Sequence, residues 1–338
     1  MALVGAGAVG SVIGGYLSKA HEDITLVDSW FDHVERMRRD GLLIDGTRGR
    51  HLVRVKSLHT SEMHGVADRF DVLFVSVKSY DTQSMVTLMQ PYLGEGAWVI
   101  SCQNGMNEDL LVDLVGASRT IGCVVTMGAE MAGPGSVRET GNKVAFVTGE
   151  LDGRITPRIQ EIAKILGLCS DTRVTTTLYG ERWSKLARNC MDNPLAVLTD
   201  WSAAQLHGDA RIRIIFQAIV GEIIQVAEAM GHKVEPILGI DVETWKRSAM
   251  IQQPEVDKAL LEEGPRLGDR RFSLYYDLKR GRPTEIDHLT GYVVKQGRKM
   301  GISVPVNELI MMLVKDIELG KIEAHPSNID TLWKMVRH

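Results

Sequence analysis

A glycine-rich turn between a short apolar strand and an apolar-periodic helix opens the chain and sets the strongest limit on its fold. In GAGAVG, Gly5, Gly7 and Gly10 take the spacing G-x-G-x-x-G. This spacing is a weak signal alone, but a strand before it and a helix after it are the context of a dinucleotide-binding turn. Gly5 permits the tight turn, Gly7 lets a pyrophosphate approach the backbone, and Gly10 lets helix and strand pack closely. Ala8 and Val9 complete a helix N-terminus that offers free N–H groups to the anion.

Asp28 closes the next predicted strand, DITLVD, 23 residues after Gly5. A carboxylate near this spacing accepts hydrogen bonds from the adenosine ribose and repels a 2′-phosphate, so Asp28 favours NAD(H) over the alternative, NADP(H). Arg36, Arg38 and Arg39 lie further along the chain and could hold a 2′-phosphate. A helix cap is the structural alternative for Asp28.

Strands and helices alternate through the first half of the chain. This alternation predicts a doubly wound, Rossmann-type parallel sheet with helices on both faces. The segment GLLIDGTRGRHLVRV and residues 120–150 are expected to add antiparallel strands. Ligands of such sheets lie at the carboxyl ends of strands, where Lys78 and Asn104 are placed. Both are therefore candidates for cofactor binding, against the alternatives of a surface lysine and an ordinary Asn-Gly turn.

The second half carries helical patterns, with apolar residues recurring at three and four. We predict helices in ARIRIIFQAIVGEIIQVAEAMGH, PTEIDHLTGYVVKQGRKMG and VPVNELIMMLVKDIELGK. In the second of these, Thr284 is expected as N-cap with Asp287 three residues on, close to a capping box. The fold class is thus α/β, with a Rossmann dinucleotide-binding domain over 1–174 and an all-α domain over 175–338. Residues 233–271 are expected to form helices with a mobile loop, as a lid or an oligomer contact.

The segment RWSKLARNCMDNPLAVLTD combines helical character with polar side chains at steps of four. Lys185, Asn189 and Asn193 lie within about 80° of one another on a helix, because four residues advance roughly 400°. This polar stripe, which ends at a proline, is either a solvated helix face or one wall of a site. The adjacent Arg188 and Asp192 favour the solvated face, and periodicity alone leaves both interpretations open.

Composition excludes several classes of function. The net charge of −4 gives no electrostatic case for nucleic acid or an anionic membrane. No uncharged apolar stretch approaches the roughly 18 residues of a membrane span, and the chain opens without a signal peptide. Four scattered cysteines and ten histidines lack metal-binding spacing, so we expect no metal, no disulfide and a cytoplasmic location.

Three pieces read together resemble one known family. GAGAVG, RWSKLARNCMDNPL and RFSLYYDLKRGRPTEID have the order and spacing of the ketopantoate reductase (2-dehydropantoate 2-reductase) family, and VKSYDT and QNGMNE are also similar to family segments. The resemblance covers nearly the whole chain. It implies a nicotinamide-dependent reductase with a Rossmann domain and a helical domain.

The resemblance also implies roles for single residues. Lys185 corresponds to the catalytic lysine, and Glu285 to a glutamate near the substrate hydroxyl and the cofactor ribose. The other implied positions are the substrate-binding Asn189, Asn193 and Ser273 and the cofactor-lining Lys78 and Asn104. The chemistry agrees, because a protonated lysine can neutralise the charge that hydride delivery leaves on a ketone oxygen and then donate the proton. Desolvation in a cleft would lower its pKa toward neutral pH.

The sequence departs from the family at three places. Family members commonly carry a basic or neutral residue, suited to NADP(H), where Asp28 stands. After NPL, this chain has Trp201 and Ala203 where many members have an asparagine or a glycine. It is also longer around 250–270. The first departure bears on cofactor preference, and the other two imply a pocket that fits a different 2-keto acid.

The leading interpretation is an NAD(P)H-dependent reductase of a branched, small-molecule 2-keto acid, with Lys185 as general acid. A homodimer is one assembly that the sequence allows. A second interpretation, which Asp28 favours, is an NAD-linked dehydrogenase that oxidises a sugar acid or another hydroxy acid. A third, from another class, is a nucleotide-sensing regulatory protein with a degenerate site. The intact set of Lys185, Asn189, Asn193 and Glu285 argues against the third.

Overall fold

The chain forms two compact units, Met1–Leu178 and Tyr179–His338, in a computed structural model. The structure describes residues 1–67, 69–141, 145–248 and 253–337. The first unit holds the β-sheets, and the second is helical.

An eight-stranded sheet and a four-stranded sheet make up the first unit. The strands are β1 (Ala2–Val4), β2 (Thr25–Asp28), β3 (Leu42–Gly46), β4 (His51–Val53), β5 (Lys56–His59), β6 (Phe70–Val75), β7 (Leu93–Ser101), β8 (Thr120–Thr126), β9 (Ala129–Gly133), β10 (Ser136–Glu139), β11 (Ala145–Gly149) and β12 (Asp171–Val174). The helices are α1 (Ala8–Lys19), α2 (Phe31–Asp40), α3 (Thr82–Met89), α4 (Glu108–Val115) and α5 (Pro157–Gly167). The strand orders are β12-β11-β8-β7-β6-β1-β2-β5 and β4-β3-β10-β9.

The large sheet is parallel from β5 to β8, with β1 paired to β2 on one side and to β6 on the other. The predicted Rossmann-type sheet is confirmed. The expectation of antiparallel strands over residues 120–150 is partly wrong. β8 joins β7 in parallel, while β11 runs antiparallel to β8 and β9 antiparallel to β10. β8 continues the parallel series because it follows a helical crossover from β7 rather than a tight turn.

Apolar side chains cover both faces of the large sheet. Along β1, Leu3 belongs to one buried cluster with Leu26 and Phe74, whereas Ala2 and Val4 belong to the cluster on the opposite face. Successive strand residues point to opposite faces, so a strand of three residues contributes to both layers. This double burial accounts for the near-continuous apolar runs in the sequence.

The small sheet is fastened to α1 by a buried carboxylate. Glu139, at the end of β10, accepts hydrogen bonds from the Tyr16 hydroxyl of α1 (3.1 Å) and from Arg48 Nε (2.9 Å). The Arg48 guanidinium carbon also lies 3.9 Å from the centroid of the Tyr16 ring. β3 and β4 form the antiparallel excursion predicted from GLLIDGTRGRHLVRV. The helix that follows the glycine turn is therefore held from the small sheet as well as from the large one.

The second unit is built of helices around α8. Its helices are α6 (Leu178–Thr199), α7 (Ala203–Gly208), α8 (Ala210–Ala229), α9 (Val242–Ser248), α10 (Pro254–Leu267), α11 (Ser273–Lys279), α12 (Thr290–Met300), α13 (Pro305–Glu318) and α14 (Ile329–Val336). α8 contacts α7, α9, α10, α12, α13 and α14. α6 continues through Pro194 for a further turn. Among the helices of the described residues, none combines the length and the apolar character needed to cross a bilayer.

The predicted helix that begins near Thr284 is wrong in its first turns. The Thr284 hydroxyl accepts from the backbone N–H of Ile286. The Asp287 carboxylate pairs with Lys315, whereas in a capping box it would accept from the backbone N–H of Thr284. A 3₁₀ turn follows, and α12 begins only at Thr290. Threonine hydroxyls form such local turns readily, which is why a near match to a capping box is ambiguous.

The long segment over 233–271 forms α9 and α10. The mobile loop expected there falls partly on residues 249–252, which lie outside the described residues. α10 packs against α7, where a side chain on Gly264 would lie 3.0 Å from the Cβ of His207. This close approach makes α10 part of the core of its unit.

Two glycines of the first turn differ in how much room they leave for a side chain, and alanine substitution should show this difference as a difference in stability. A Cβ on Gly10 would lie 2.0 Å from the carbonyl oxygen of Gly5, whereas a Cβ on Gly7 meets nothing within 4 Å. We expect Gly10→Ala to lower the free energy of unfolding by about 2 kcal/mol or more, as overpacking does. Gly7→Ala, the matched control, should cost about 1 kcal/mol or less in urea unfolding, the ordinary loss when alanine replaces a favoured N-cap residue. Equal losses in the two variants would contradict this account.

Candidate active site

The turn after β1 leaves a cradle for a phosphate group. Gly5 has a φ of +91°, and a Cβ there would lie 2.5 Å from the backbone nitrogen of Val77. Gly7, the N-cap of α1, makes no side-chain cap, and the first turn of α1 carries no acidic residue. The exposed N–H groups and the helix dipole therefore favour an anion at this end. The buried Ser76 hydroxyl, directly after β6, has no hydrogen-bond partner among the described residues. Open space, free donors and an unused hydroxyl fit the pyrophosphate of a dinucleotide.

A buried histidine that the sequence did not indicate holds the turn in place. His33 Nδ1 accepts from the backbone N–H of Gly135 (2.8 Å), so the ring proton is on Nε2, which lies 3.3 Å from the Ser11 hydroxyl. That hydroxyl donates to the carbonyl oxygen of Ala6, inside the glycine-rich turn (2.6 Å). Burial lowers the pKa of His33, so the ring stays neutral and this chain of bonds persists at neutral pH.

Asp28 lies at the carboxyl end of β2, beside the glycine turn. Its Oδ1 accepts from the backbone N–H of Trp30 (2.8 Å), which closes a local turn. Asp28 is not the helix cap weighed as an alternative, since Trp30 is the N-cap of α2 and that helix has no side-chain cap. The three nearby arginines are engaged with carboxylates. Arg36 pairs with Asp40 (2.8 Å), Arg38 with Glu35 and Glu62, and Arg39 with Asp40 (3.0 Å).

Lys78 and Asn104 lie in the loops after β6 and β7, at the same edge of the sheet. Lys78 is the N-cap of a 3₁₀ turn, and the carbonyl oxygen of Asn104 accepts from the hydroxyl of Ser79 in that turn (3.3 Å). The same carbonyl accepts from Asn107 Nδ2 (2.8 Å), and Gly105 has a φ of +80°. Asn104 thus forms the Asn-Gly turn that was weighed as the alternative to cofactor binding. The turn also ties its loop to the one that carries Lys78.

The polar stripe of α6 is largely buried. Asn189 is 8% exposed, Asn193 is 5% exposed, and Lys185 is half-buried. The two charged neighbours that favoured a solvated face are both engaged. Arg188 pairs with Glu263 of α10 (3.1 Å), and Asp192 pairs with the buried His207 of α7 (2.8 Å). A solvated face is therefore excluded, and the stripe is a polar wall inside the helical unit.

The amine of Lys185 titrates near neutral pH. Burial, reinforced by the positive charges of Arg188 and Arg270, lowers its pKa to about 8, while Asp192 opposes the shift. Among the described residues, the amine has neither a hydrogen-bond partner nor an ion pair. An unpaired lysine with this pKa can both give and take a proton at physiological pH.

Asp192 and His207 form a pair that sequence analysis missed. His207 Nδ1 faces the carbonyl oxygen of Leu260 (2.9 Å), which can only accept, and Nε2 faces Asp192 Oδ1 (2.8 Å). Burial pushes the pKa of His207 down, but the bond to Asp192 and its charge outweigh burial and raise the pKa above its usual value. The pair therefore holds a shared proton, and the Asp192 charge is balanced locally. The one available signal was position, since Asp192 is seven residues after Lys185 and on the same face.

Asn193 and Ser273, both predicted to bind substrate, are bonded to each other. The Ser273 hydroxyl donates to Asn193 Oδ1 (3.0 Å), and Asn193 Nδ2 donates to the carbonyl oxygen of Asn189 (3.1 Å). The backbone N–H of Leu274 lies 3.4 Å from the same Oδ1. The single proton of Ser273 is thus committed to Asn193, and a substrate carboxylate would have to displace it.

Glu285 lies on the turn that precedes α12 and is 3% exposed. Its carbonyl oxygen accepts from the N–H groups of His288 and Leu289 (both 3.0 Å). α12 itself packs on α6 through the rings of Tyr292 and Trp183, whose centroids are 5.8 Å apart. The turn that carries Glu285 is therefore anchored next to the helix of the stripe.

The first unit is a doubly wound sheet with a glycine-rich dinucleotide turn, and the second is helical with a buried stripe of lysine and amides. Together they define a class of two-domain NAD(P)-dependent oxidoreductases. Two family models match the chain, "Ketopantoate reductase PanE/ApbA" over residues 1–153 and "Ketopantoate reductase PanE/ApbA C terminal" over residues 177–318. The chain belongs to the ketopantoate reductase family.

Individual relatives agree with this assignment over their full length. A 2-dehydropantoate 2-reductase of Aquifex aeolicus is 28% identical over 95% of this chain and 97% of that protein. One from Pyrococcus horikoshii is 27% identical over 93% and 95%. The crystal structure of a PanE/ApbA family ketopantoate reductase from Ralstonia eutropha superposes with a TM-score of 0.80 at 29% identity, covering 95% of this chain and 99% of that chain.

The hydrogen bonds around Asn193 predict that substitutions of Asn193 and of Ser273 lower the free energy of unfolding by different amounts. Asn193→Leu removes the acceptor of two donors and the donor to Asn189, so we expect a loss of about 3 kcal/mol in the free energy of unfolding. Ser273→Ala removes one neutral hydrogen bond and should cost about 1 kcal/mol. Urea unfolding of both variants measures the difference. A larger loss for Ser273→Ala would refute Asn193 as the centre of the network.

Proposed function

We propose that this protein reduces a branched 2-keto acid, ketopantoate or a close relative, with a nicotinamide dinucleotide as the hydride source. The observation that carries the proposal is the half-buried, unpaired Lys185 amine, with its pKa lowered to about 8 on a buried stripe of amides. Such a group can donate a proton to an oxygen that becomes negatively charged, as ketone reduction requires. Membership of the ketopantoate reductase family supports the same reaction.

The reaction needs a hydride at the carbonyl carbon and a proton at the carbonyl oxygen. The reduced nicotinamide supplies the hydride when it is bound. Lys185, as ammonium, stabilises the developing negative charge and gives its proton to the oxygen, becoming a neutral amine that water reprotonates. The amide of Asn189 is suited to orient the carbonyl without adding charge. Glu285 is suited to accept from the hydroxyl that forms and to steer the lysine.

We propose that the cradle of Gly5, Gly7, Ala8, Val9 and Gly10 holds the pyrophosphate and that Asp28 holds the adenosine ribose. The positive end of α1 attracts the phosphate charge. The Asp28 carboxylate repels a 2′-phosphate, and the three arginines of α2 are already paired with carboxylates. NAD(H) is therefore the preferred cofactor, and NADP(H) the alternative. Lys78 and Asn104 extend this edge toward the nicotinamide end.

A second function, oxidation of a hydroxy acid by NAD, uses the same groups in the opposite direction. Neutral Lys185 would then take the hydroxyl proton, and a pKa of about 8 suits this role equally. The preference of Asp28 for NAD(H) favours it. A regulatory protein that only senses nucleotide has no need of a lysine with a lowered pKa, which argues against the third interpretation. The cytoplasmic location and the homodimer stay predictions of the sequence.

The proton-donor role predicts a pH profile of defined sign. Reduction needs the protonated amine, so kcat/KM should be constant below pH 8 and fall about tenfold per pH unit above it. Oxidation of the product needs the neutral amine and should rise through the same pH. Lys185→Met should lower kcat by about 10²–10⁴-fold with nearly unchanged cofactor affinity. The control Lys299→Met, on the exposed end of α12, should match the wild type. A reduction rate that stays flat from pH 7 to pH 10 would sink the proposal for Lys185.

The cofactor preference depends on charge at one position. Asp28→Asn keeps an oxygen that can accept from Trp30 but removes the negative charge, so the fold should be retained. We expect the ratio of kcat/KM with NADH to that with NADPH to fall about tenfold or more, as relief of a like-charge contact implies. Asp32→Asn, in the exposed first turn of α2, is the matched control. An unchanged ratio in Asp28→Asn would rule out Asp28 as the discriminating group.

A further inference from the structure

Arg270 lies in the loop between α10 and α11. The loop is held by backbone bonds to the first turn of α7, from Ala203 N to the Arg270 carbonyl (3.1 Å) and from Ala204 N to the Gly268 carbonyl (3.0 Å). Three residues further on, Ser273 bonds to Asn193 of the stripe. The loop that carries Arg270 is thus held by α7 on one side and, through Ser273, by Asn193 of the stripe on the other.

The guanidinium of Arg270 has no hydrogen bond or ion pair among the described residues. The neighbouring arginines differ. Arg266 lies 3.7 Å from Glu262 and from Glu263, and Arg271 lies 4.0 Å from Asp200. Arg270 instead acts on Lys185, another unpaired cation, and lowers its pKa. Lys185 and Arg270 are half-buried cations that repel each other, and no carboxylate of the described residues forms an ion pair with either, so an anion would stabilise the site.

Ser273, expected from the family resemblance to contact the substrate carboxylate, has already committed its proton to Asn193. A carboxylate needs donors, and a guanidinium offers two parallel ones in a planar fork. A 2-keto acid carries its carboxylate on the carbon next to the ketone. One substrate can therefore place a carboxylate at Arg270 and the ketone oxygen at Lys185.

We propose that Arg270 binds the carboxylate of the 2-keto acid and makes this the specificity-determining contact of the site. The inference rests on the proposed function, because it assigns a residue to that substrate. The bound carboxylate also neutralises Arg270. The proton on Lys185 is then held more firmly in the complex than in the free protein.

Arg270→Gln tests the contact, with Arg266→Gln, at an exposed position of α10, as matched control. Each protein is assayed with 2-oxo-3-methylbutanoate and with its methyl ester, which keeps the ketone but lacks the charge. We expect Arg270→Gln to lower kcat/KM for the acid by about 30-fold or more, mainly through KM, as loss of a charge-assisted hydrogen bond implies. The ester should change less than about 3-fold, and Arg270→Lys should recover part of the loss for the acid. Arg266→Gln should resemble the wild type with both compounds.

The pH profile gives a readout that a merely structural role would not move. In the wild type, the pH at which kcat falls should be higher than the pH at which kcat/KM falls. The reason is that the bound carboxylate cancels the charge of Arg270, which raises the pKa of Lys185 in the complex. In Arg270→Gln, the basic limb of kcat/KM should rise above pH 8, since one cation has gone. An unchanged acid-to-ester ratio in an active Arg270→Gln variant would overturn the assignment of Arg270 alone. A wild type that reduces no 2-keto acid with either cofactor would instead overturn the proposed function, and the inference with it.

Discussion

The helical unit depends on keeping one lysine amine half-buried without a carboxylate against it. Burial and two arginines lower the pKa of Lys185, and the carboxylate on the same helix face, Asp192, opposes them only weakly. Asp192 cannot act fully on the lysine because its charge is balanced by His207, which lies 2.8 Å away. The pairing of Asp192 with a histidine therefore preserves a lysine that exchanges its proton near pH 8.

The sheet unit has a different requirement, which is that the backbone N–H groups of the glycine-rich turn stay accessible to an anion. Gly5 and Gly10 allow strand, turn and helix to approach within distances that any Cβ would prevent, whereas Gly7 is open. A turn with so few side chains has little to stabilise it from within. The bonds from His33 to Ser11, and from Ser11 to the Ala6 carbonyl, supply that support from outside the ligand's path. Because His33 is neutral, the support adds no positive charge that would compete for the phosphate.

Sequence periodicity predicted the features that depend on near neighbours. The glycine spacing, the alternation of strand and helix, and the polar steps of α6 are all set by residues within one or two turns of each other. Pairs such as Asp192 with His207, or Asn193 with Ser273, join residues 15 and 80 positions apart, and no local pattern indicates them. The error at Thr284 has a related cause. The Thr284 hydroxyl can accept either from a helix N-terminus, as an N-cap does, or from the N–H two residues on, and here it accepts from Ile286. The Asp287 carboxylate, which a capping box would have used, pairs with Lys315 of α13.

Substrate and product of the proposed reaction carry the same carboxylate. This shared group determines which cation contributes to binding and which to the rate of the chemical step. A contact at Arg270 would strengthen the binding of keto acid, transition state and hydroxy acid alike, so it would lower KM without accelerating the chemical step. Only the ketone oxygen changes charge along the reaction. Acceleration must therefore come from Lys185, whose proton moves, and from amides whose hydrogen bonds strengthen as that oxygen becomes negative. A charge-bearing anchor beside a proton-exchanging lysine gives the site selectivity and rate from two different groups, which are coupled because the charge of Arg270 lowers the pKa of Lys185.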